Sequence, residues 1–134
     1  MHVFYGMIGL KTHCKLTMVV RREAEGIRRY VHLGTGNYNE KTATVYSDLS
    51  FFTARADITE DTSALFNLLT GYSDPPRWKK LVVAPLDLRR RLIELIDRVR
   101  SGARKGQSAR IVFKTNALID DTVIRALCLS LIHI

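Results

Sequence analysis

The sequence has few cysteines, few acidic residues and no long apolar run. Its two cysteines, Cys14 and Cys128, have no CxxC spacing, and no secretory signal pattern is present, which favours a reduced intracellular setting over a disulfide framework. The longest apolar run is too short to cross a bilayer. Only 13 acidic residues stand against 21 basic ones, leaving a formal charge of +8 across 134 residues. This excess favours an anionic partner, but charge alone does not distinguish phosphate chains, nucleotides, nucleic acid and membrane surfaces.

The two ends do not resemble the ends of a complete protein. Met1 stands directly before a strand pattern, so we interpret it as an internal methionine. The last six residues, LSLIHI (129–134), interrupt a helical pattern and match the translation of a common sequencing adaptor. We therefore interpret residues 129–134 as read-through and expect them to be poorly packed. A natural hydrophobic C-terminus is the alternative.

Two apolar, β-branched segments predict an antiparallel hairpin. Residues 14–22 and 27–35 flank EAEG, which carries a glycine where the chain must turn. If the turn is centred between residues 24 and 25, opposed residue numbers sum to 49. This register places Lys15 opposite Gly34 and His13 opposite Gly36.

The next segment predicts a helix and then a boundary. Residues 58–72 have apolar positions at helical spacing, with Thr59 or Asp61 as the N-cap and Gly71 as the end. The turn-rich and charged SDPPRWKK that follows predicts a domain boundary near residue 79.

Beyond that boundary the pattern predicts a β-α-β-α unit. Residues 81–85 and 110–116 are predicted as strands, residues 88–100 as a helix, and a second helix is expected to open near Asp120 or Asp121. Such a unit forms an α/β layer with a parallel pair of strands. With the hairpin and helix before it, the fold class is predicted to be mixed α/β.

The side chains and backbone N–H groups on one face of the hairpin are predicted to form a phosphate-binding site. Alternation puts His13 and Lys15 on one strand face and Cys14 on the other. Backbone N–H groups of the glycine loop, with the Thr35 and Asn37 side chains, can form an anion-binding concavity beside them. A partly neutral imidazole can attack phosphorus, lysine can neutralise phosphate oxygens, and the amide can bind phosphate or orient the ring. A merely structural histidine is the alternative.

Several motifs together resemble the long polyphosphate kinase family: GLKTHCKL, RRYVHLGTGNYNEKTA, YSDLSFFTA, LFNLLTGY, WKKLVVAP and KTNALID. The likeness covers nearly the whole chain before residue 129. It implies an ATP:polyphosphate phosphotransferase that works reversibly through a phosphohistidine at His13, with an ATP contact at Tyr46. It further implies that residues 1–79 end one phospholipase-D-like domain and that residues 80–128 begin a second.

The resemblance also implies the molecules that the intact enzyme would bind. These are ATP or ADP, inorganic polyphosphate and Mg²⁺, with no nucleic acid, in a homo-oligomer. The metal ligands, a second catalytic histidine and further arginines would lie outside this sequence, so the fragment alone is expected to be inactive. The implied location is the cytoplasm, in some members at the periphery of the inner membrane.

Two other functions stay open on the sequence. A phospholipase-D-like phosphodiesterase would use the same histidine, but that signature requires an aspartate where this chain has Val20. A non-catalytic module could bind polyanions through charge alone. His32 is expected opposite Thr17, away from the glycine loop, in a structural or indirectly supporting role. Residues 89–91 are expected to form a solvated helix face, and His2 is given no role.

Overall fold

The structure is a computed structural model and describes residues 1–71, 73–74 and 77–131. By its contacts the chain divides into two compact units, Met1–Leu81 and Val82–Ile134. The mixed α/β class is confirmed, whereas the assignment of both units to phospholipase-D-like domains stays a prediction. In chain order the elements are β1 (Lys15–Glu23), β2 (Gly26–Gly34), α1 (Glu40–Ala43), β3 (Ser50–Thr53), α2 (Ala56–Leu69), α3 (Leu88–Arg104) and α4 (Asp121–Leu131).

The first unit is built on an antiparallel sheet with the order β1-β2-β3. Strands β1 and β2 pair without interruption from Lys15 opposite Gly34 to Glu23 opposite Gly26. The predicted register is therefore confirmed. Gly26 closes the turn with a φ of 120°, a conformation that favours glycine. The sequence did not predict β3, which pairs with β2 over four residues.

The two faces of this sheet differ in what covers them. Val31 of β2 is 2% exposed and Leu65 of α2 is 6% exposed, and α2 packs against β1 and β2. Because successive strand residues alternate between faces, His32 and its cross-strand neighbour Phe52 lie on the opposite face from Val31. Phe52 is 77% exposed, so this second face is open. It is the face that carries Lys15.

Helix α2 begins earlier than the sequence predicted. Arg55 is its N-cap residue, and both predicted caps, Thr59 and Asp61, are buried within the helix. The prediction was wrong because neither side chain caps the helix start. The Thr59 hydroxyl donates to the Ala56 carbonyl within the helix, and the Asp61 carboxylate accepts hydrogen bonds from a distant segment. The predicted end is confirmed, since Gly71 has a φ of 72° and its N–H donates to the Leu68 carbonyl.

Asp61 anchors the segment that leads out of the first unit. Its Oδ2 accepts from the backbone N–H groups of Lys79 at 2.9 Å, Lys80 at 2.7 Å and Leu81 at 2.8 Å. Lys79 N–H also lies 3.1 Å from Oδ1. A buried carboxylate needs such donors, and these backbone groups satisfy it.

The second unit contains two packed helices, as predicted. Helix α3 covers the expected span, and Asp120 caps α4 by accepting from the Val123 N–H at 3.0 Å. Ile96 of α3 and Val123 of α4 are buried. Helix α3 packs against α4, so these apolar side chains form the core of the unit.

The two strands predicted for the second unit are wrong. Residues 81–85 and 110–116 have no strand structure, so no parallel pair forms within the described residues. A strand exists only where a neighbouring backbone completes its hydrogen-bond ladder, and β-branched composition alone does not supply that neighbour. Val112 and Phe113 are accordingly exposed.

Helix α4 runs into the segment that we interpret as read-through. Leu129 is 50% exposed, whereas Ser130 is buried and donates to the Leu127 carbonyl at 2.7 Å. Residues 132–134 lie outside the described residues, so the interpretation stays a prediction. Across the described ranges, none of the helices combines the length and apolarity that crossing a membrane requires.

Candidate functional site

His13 and Lys15 contact each other at the start of β1. The Lys15 Nζ atom lies 3.1 Å from Nε2 and 3.2 Å from Nδ1 of the imidazole, and it donates to the His13 carbonyl at 2.8 Å. A neutral imidazole has one acceptor nitrogen, so the ammonium can donate to it in either tautomer. The prediction that both side chains lie on one side of the chain is confirmed.

This pair lines an open pocket of about 470 Å³. Asn37 lines it too, so the structure brings together three of the four predicted site residues. Cys14, expected on the opposite face, also lines the pocket, because β1 begins only at Lys15 and strict alternation does not extend before it. Lys11 adds a second ammonium, and no acidic side chain of the described residues lines the pocket. The complete lining is Lys11, Thr12, His13, Cys14, Lys15, Leu16, Asn37 and Tyr38.

The glycine loop is held by the segment before β3. The Thr35 hydroxyl donates to the Asp48 carboxylate at 2.8 Å and accepts from the Leu49 N–H at 3.0 Å. The expectation that Thr35 donates to a bound anion is therefore wrong, because its single proton is used internally. A Cβ on Gly36 would lie 2.3 Å from Asp48 Oδ2, so only glycine permits this close approach.

A contact between His32 and Tyr38 was missed by the sequence analysis. His32 lies opposite Thr17 as predicted, but its Nδ1 is 2.7 Å from the Tyr38 hydroxyl, so it is not remote from the loop. Its ring packs on Phe52 with centroids 4.4 Å apart. A Cβ on Gly34 would lie 3.3 Å from His32 Cε1. The available signal was the register, which puts His32 on the Lys15 face.

Tyr46 does not line the pocket. It follows α1, its N–H donates to the Thr42 carbonyl at 3.2 Å, and its side chain is exposed. Helix α1 is itself capped by Asn39, whose Oδ1 accepts from the Thr42 N–H at 3.1 Å. The role of Tyr46 in ATP binding stays a prediction from resemblance.

The described residues do not by themselves fit a metal ion. Within residues 1–71, 73–74 and 77–131, no three His, Cys, Asp or Glu side chains are grouped closely enough to bind one. A hard cation such as Mg²⁺ needs several oxygen ligands, from protein, substrate or water.

Two family models match the chain in succession. Polyphosphate kinase C-terminal domain 1 matches residues 1–75, and Polyphosphate kinase C-terminal domain 2 matches residues 81–130. The polyphosphate kinases of Prosthecochloris aestuarii and Mycolicibacterium gilvum are 54% and 56% identical to it, over 96% and 94% of the chain.

A solved structure gives the same result. The crystal structure of polyphosphate kinase from Porphyromonas gingivalis matches 95% of the chain with a TM-score of 0.83 and 33% identity. The chain spans only 18%, 17% and 20% of these three proteins, in the order given. On the family models, the sequence identities and the structural match, the chain belongs to the polyphosphate kinase family.

Proposed function

We propose that this chain provides the phosphoryl-accepting histidine of an ATP:polyphosphate phosphotransferase. The observation that carries the proposal is the Lys15 ammonium, which lies within 3.2 Å of both ring nitrogens of His13. The imidazole is exposed at an open pocket with a second lysine and without acidic lining among the described residues. This combination suits a nucleophile that attacks an anionic phosphate.

The transfer occurs in two balanced steps. In the first, the Lys15 ammonium turns from the unprotonated ring nitrogen of His13 to a phosphate oxygen. The lone pair so freed forms an N–P bond to the γ-phosphorus of ATP, the bridging P–O bond breaks, and ADP leaves with the electron pair of that bond. In the second, a terminal oxygen of polyphosphate forms a P–O bond to the same phosphorus, and the N–P electron pair returns to the ring. Reversal of both steps regenerates ATP.

The neighbouring side chains stabilise the charge of the transferred group. Lys15 is close enough to His13 to neutralise non-bridging oxygens when phosphorus approaches either ring nitrogen. The Asn37 amide, which lines the same pocket, donates to a phosphate oxygen. Because phosphoryl transfer depends on positioning and charge neutralisation, these two groups contribute to the rate without forming covalent bonds.

The family resemblance supports the remaining parts of the proposal. Tyr46 contacts ATP, Mg²⁺ is held by groups outside these residues, and the intact enzyme is a cytoplasmic homo-oligomer, peripheral to the inner membrane in some members. Residues 1–79 and 80–128 belong to successive phospholipase-D-like domains. Since the chain spans about a fifth of its relatives, we expect the isolated chain to have little turnover.

The test is phosphorylation of the full-length protein that contains this chain. Incubation with γ-labelled ATP should place an acid-labile, alkali-stable label on the peptide containing KTHCK. We expect His13→Ala to abolish both the label and polymer synthesis, and Lys15→Met to slow labelling by about 10²- to 10³-fold, as for loss of one preorganised electrostatic group.

A matched control is His2→Ala, which removes an exposed histidine outside the pocket and should leave labelling unchanged. Label retained by the His13→Ala protein would refute the mechanism. So would His13-dependent cleavage of phosphodiesters without ATP-driven polymer synthesis.

A further inference from the structure

The pair formed by His32 and Tyr38 connects the pocket to the open face of the sheet. We propose that Tyr38 is a further substrate-binding residue, whose hydroxyl contacts a phosphate oxygen in the His13 pocket, and that His32 positions this hydroxyl. The proposal rests on the function proposed above for His13. Neither the sequence pattern nor the family resemblance gave Tyr38 a role, and for His32 the expectation named no partner.

Tyr38 is in the right place but is held by few contacts. It lines the same pocket as His13, Lys15 and Asn37. It is also 59% exposed, so packing alone does not fix its ring. The 2.7 Å hydrogen bond to His32 Nδ1 therefore determines where the Tyr38 hydroxyl lies.

His32, in contrast, is held on several sides. Its backbone is paired on both flanks, opposite Thr17 in β1 and Phe52 in β3. Its ring packs on Phe52 at an interplanar angle of 37°, and the missing side chain of Gly34 leaves room for its Cε1. A fixed imidazole that bonds to an exposed phenol is the geometry expected of a positioning residue.

The proton arrangement determines whether Tyr38 can bind an anion. A tyrosine hydroxyl has one proton to donate and can also accept. If His32 Nδ1 carries a proton and donates to the Tyr38 oxygen, the hydroxyl proton is free for a phosphate oxygen. If Nδ1 accepts instead, the hydroxyl proton is consumed. A bound phosphate therefore selects the form of His32 that is protonated at Nδ1.

The experiment compares variants of the full-length protein with ATP as the varied substrate. Tyr38→Phe removes only the hydroxyl, and we expect the KM for ATP to rise about 10- to 100-fold with kcat little changed, because a hydrogen bond to a charged group is lost from ground and transition states alike. His32→Leu should raise KM similarly. His32→Asn, whose amide N–H can replace Nδ1–H, should stay within about threefold of the parent.

The double variant tests whether His32 acts through Tyr38. Adding His32→Leu to Tyr38→Phe should raise KM no further, because the hydroxyl to be positioned is already absent. The matched control is Tyr30→Phe, which removes a hydroxyl that lies outside the pocket and donates to Glu23 at 2.6 Å. Its KM should be unchanged.

Each outcome is decisive for one proposal. An unchanged KM in Tyr38→Phe, with labelling still abolished by His13→Ala, would refute the role of Tyr38 and leave the proposed function intact. Multiplying effects in the double variant would refute positioning by His32. If His32→Leu has a lower thermal midpoint than the parent, the comparison of Tyr38→Phe with His32→Asn decides the question, since an Asn variant as impaired as the Phe variant contradicts the proposal.

Discussion

Replacing Asp61 by alanine should release the segment at residues 79–81. The buried Asp61 carboxylate accepts from the three successive backbone N–H groups of Lys79, Lys80 and Leu81 at 2.7–2.9 Å. Alanine offers no acceptor. These donors would then have to find water, and opening this segment would cost less free energy than in the parent protein.

The size of the effect follows from the number of bonds. One hydrogen bond to a charged group contributes about 1.5–3 kcal/mol. Removing the Asp61 carboxylate removes the acceptor that three N–H groups share. Because such contributions are not additive, we take one bond as the lower limit. The local opening free energy should then fall by at least about 1.5 kcal/mol, which corresponds to roughly tenfold faster amide exchange.

The rate of amide exchange at residues 79–81 can be measured by hydrogen exchange and mass spectrometry, on a peptide that spans residues 78–84. Glu60→Ala is the matched control, because Glu60 pairs with the Lys79 ammonium while both side chains are about half exposed. Such solvent-exposed pairs contribute little to stability, so exchange should rise by less than about fivefold. Equal exchange in the Asp61→Ala protein and the parent would refute the anchoring role.

Two further predictions concern the glycine loop and α3. Gly36→Ala should lower the free energy of unfolding by roughly 1–3 kcal/mol, because the added methyl group overpacks against Asp48. An unchanged thermal midpoint would contradict the close approach of Gly36 to Asp48. In α3, Arg91 and then Arg90 donate to Glu94 and hold the pKa of its carboxyl below the usual value of a glutamate. This stabilisation is present near neutral pH and is lost as the pH falls through the lowered pKa. Arg91→Ala should shift the Glu94 midpoint upward in a carbon-13 NMR titration; an unmoved midpoint argues against the interaction.

The hairpin could be predicted from sequence because its information is local. Gly26 marks the turn, and the apolar, β-branched segments on either side of it are compatible with one pairing register. The pairing of Lys15 with Gly34 confirms that register. The contact between His13 and Lys15 was expected from the same alternation, but β1 begins only at Lys15, so the strand period does not by itself account for it. By contrast, the four residues of β3 have strand structure because β2 lies beside them. The sequence of so short a segment does not show which strand will pair with it.

The errors also have physical causes. Residues 81–85 and 110–116 have strand composition but no ladder partner within the described residues. The bond between His32 and Tyr38 joins a strand residue to the loop that follows β2, and Thr35 of the same loop is anchored on Asp48, 13 residues away in sequence. Neither feature is encoded in residue periodicity.

The continuous pairing of β1 with β2 also limits how the length of this segment can vary. Inserting one residue within a strand, without a compensating bulge, would move every later side chain to the other face of the sheet. Lys15 and His32 would then no longer share a face, although every residue of the site would still be present. Insertions and deletions within β1 or β2 should therefore be tolerated far less well than changes at the exposed turn, so the length of these two strands is itself part of the site.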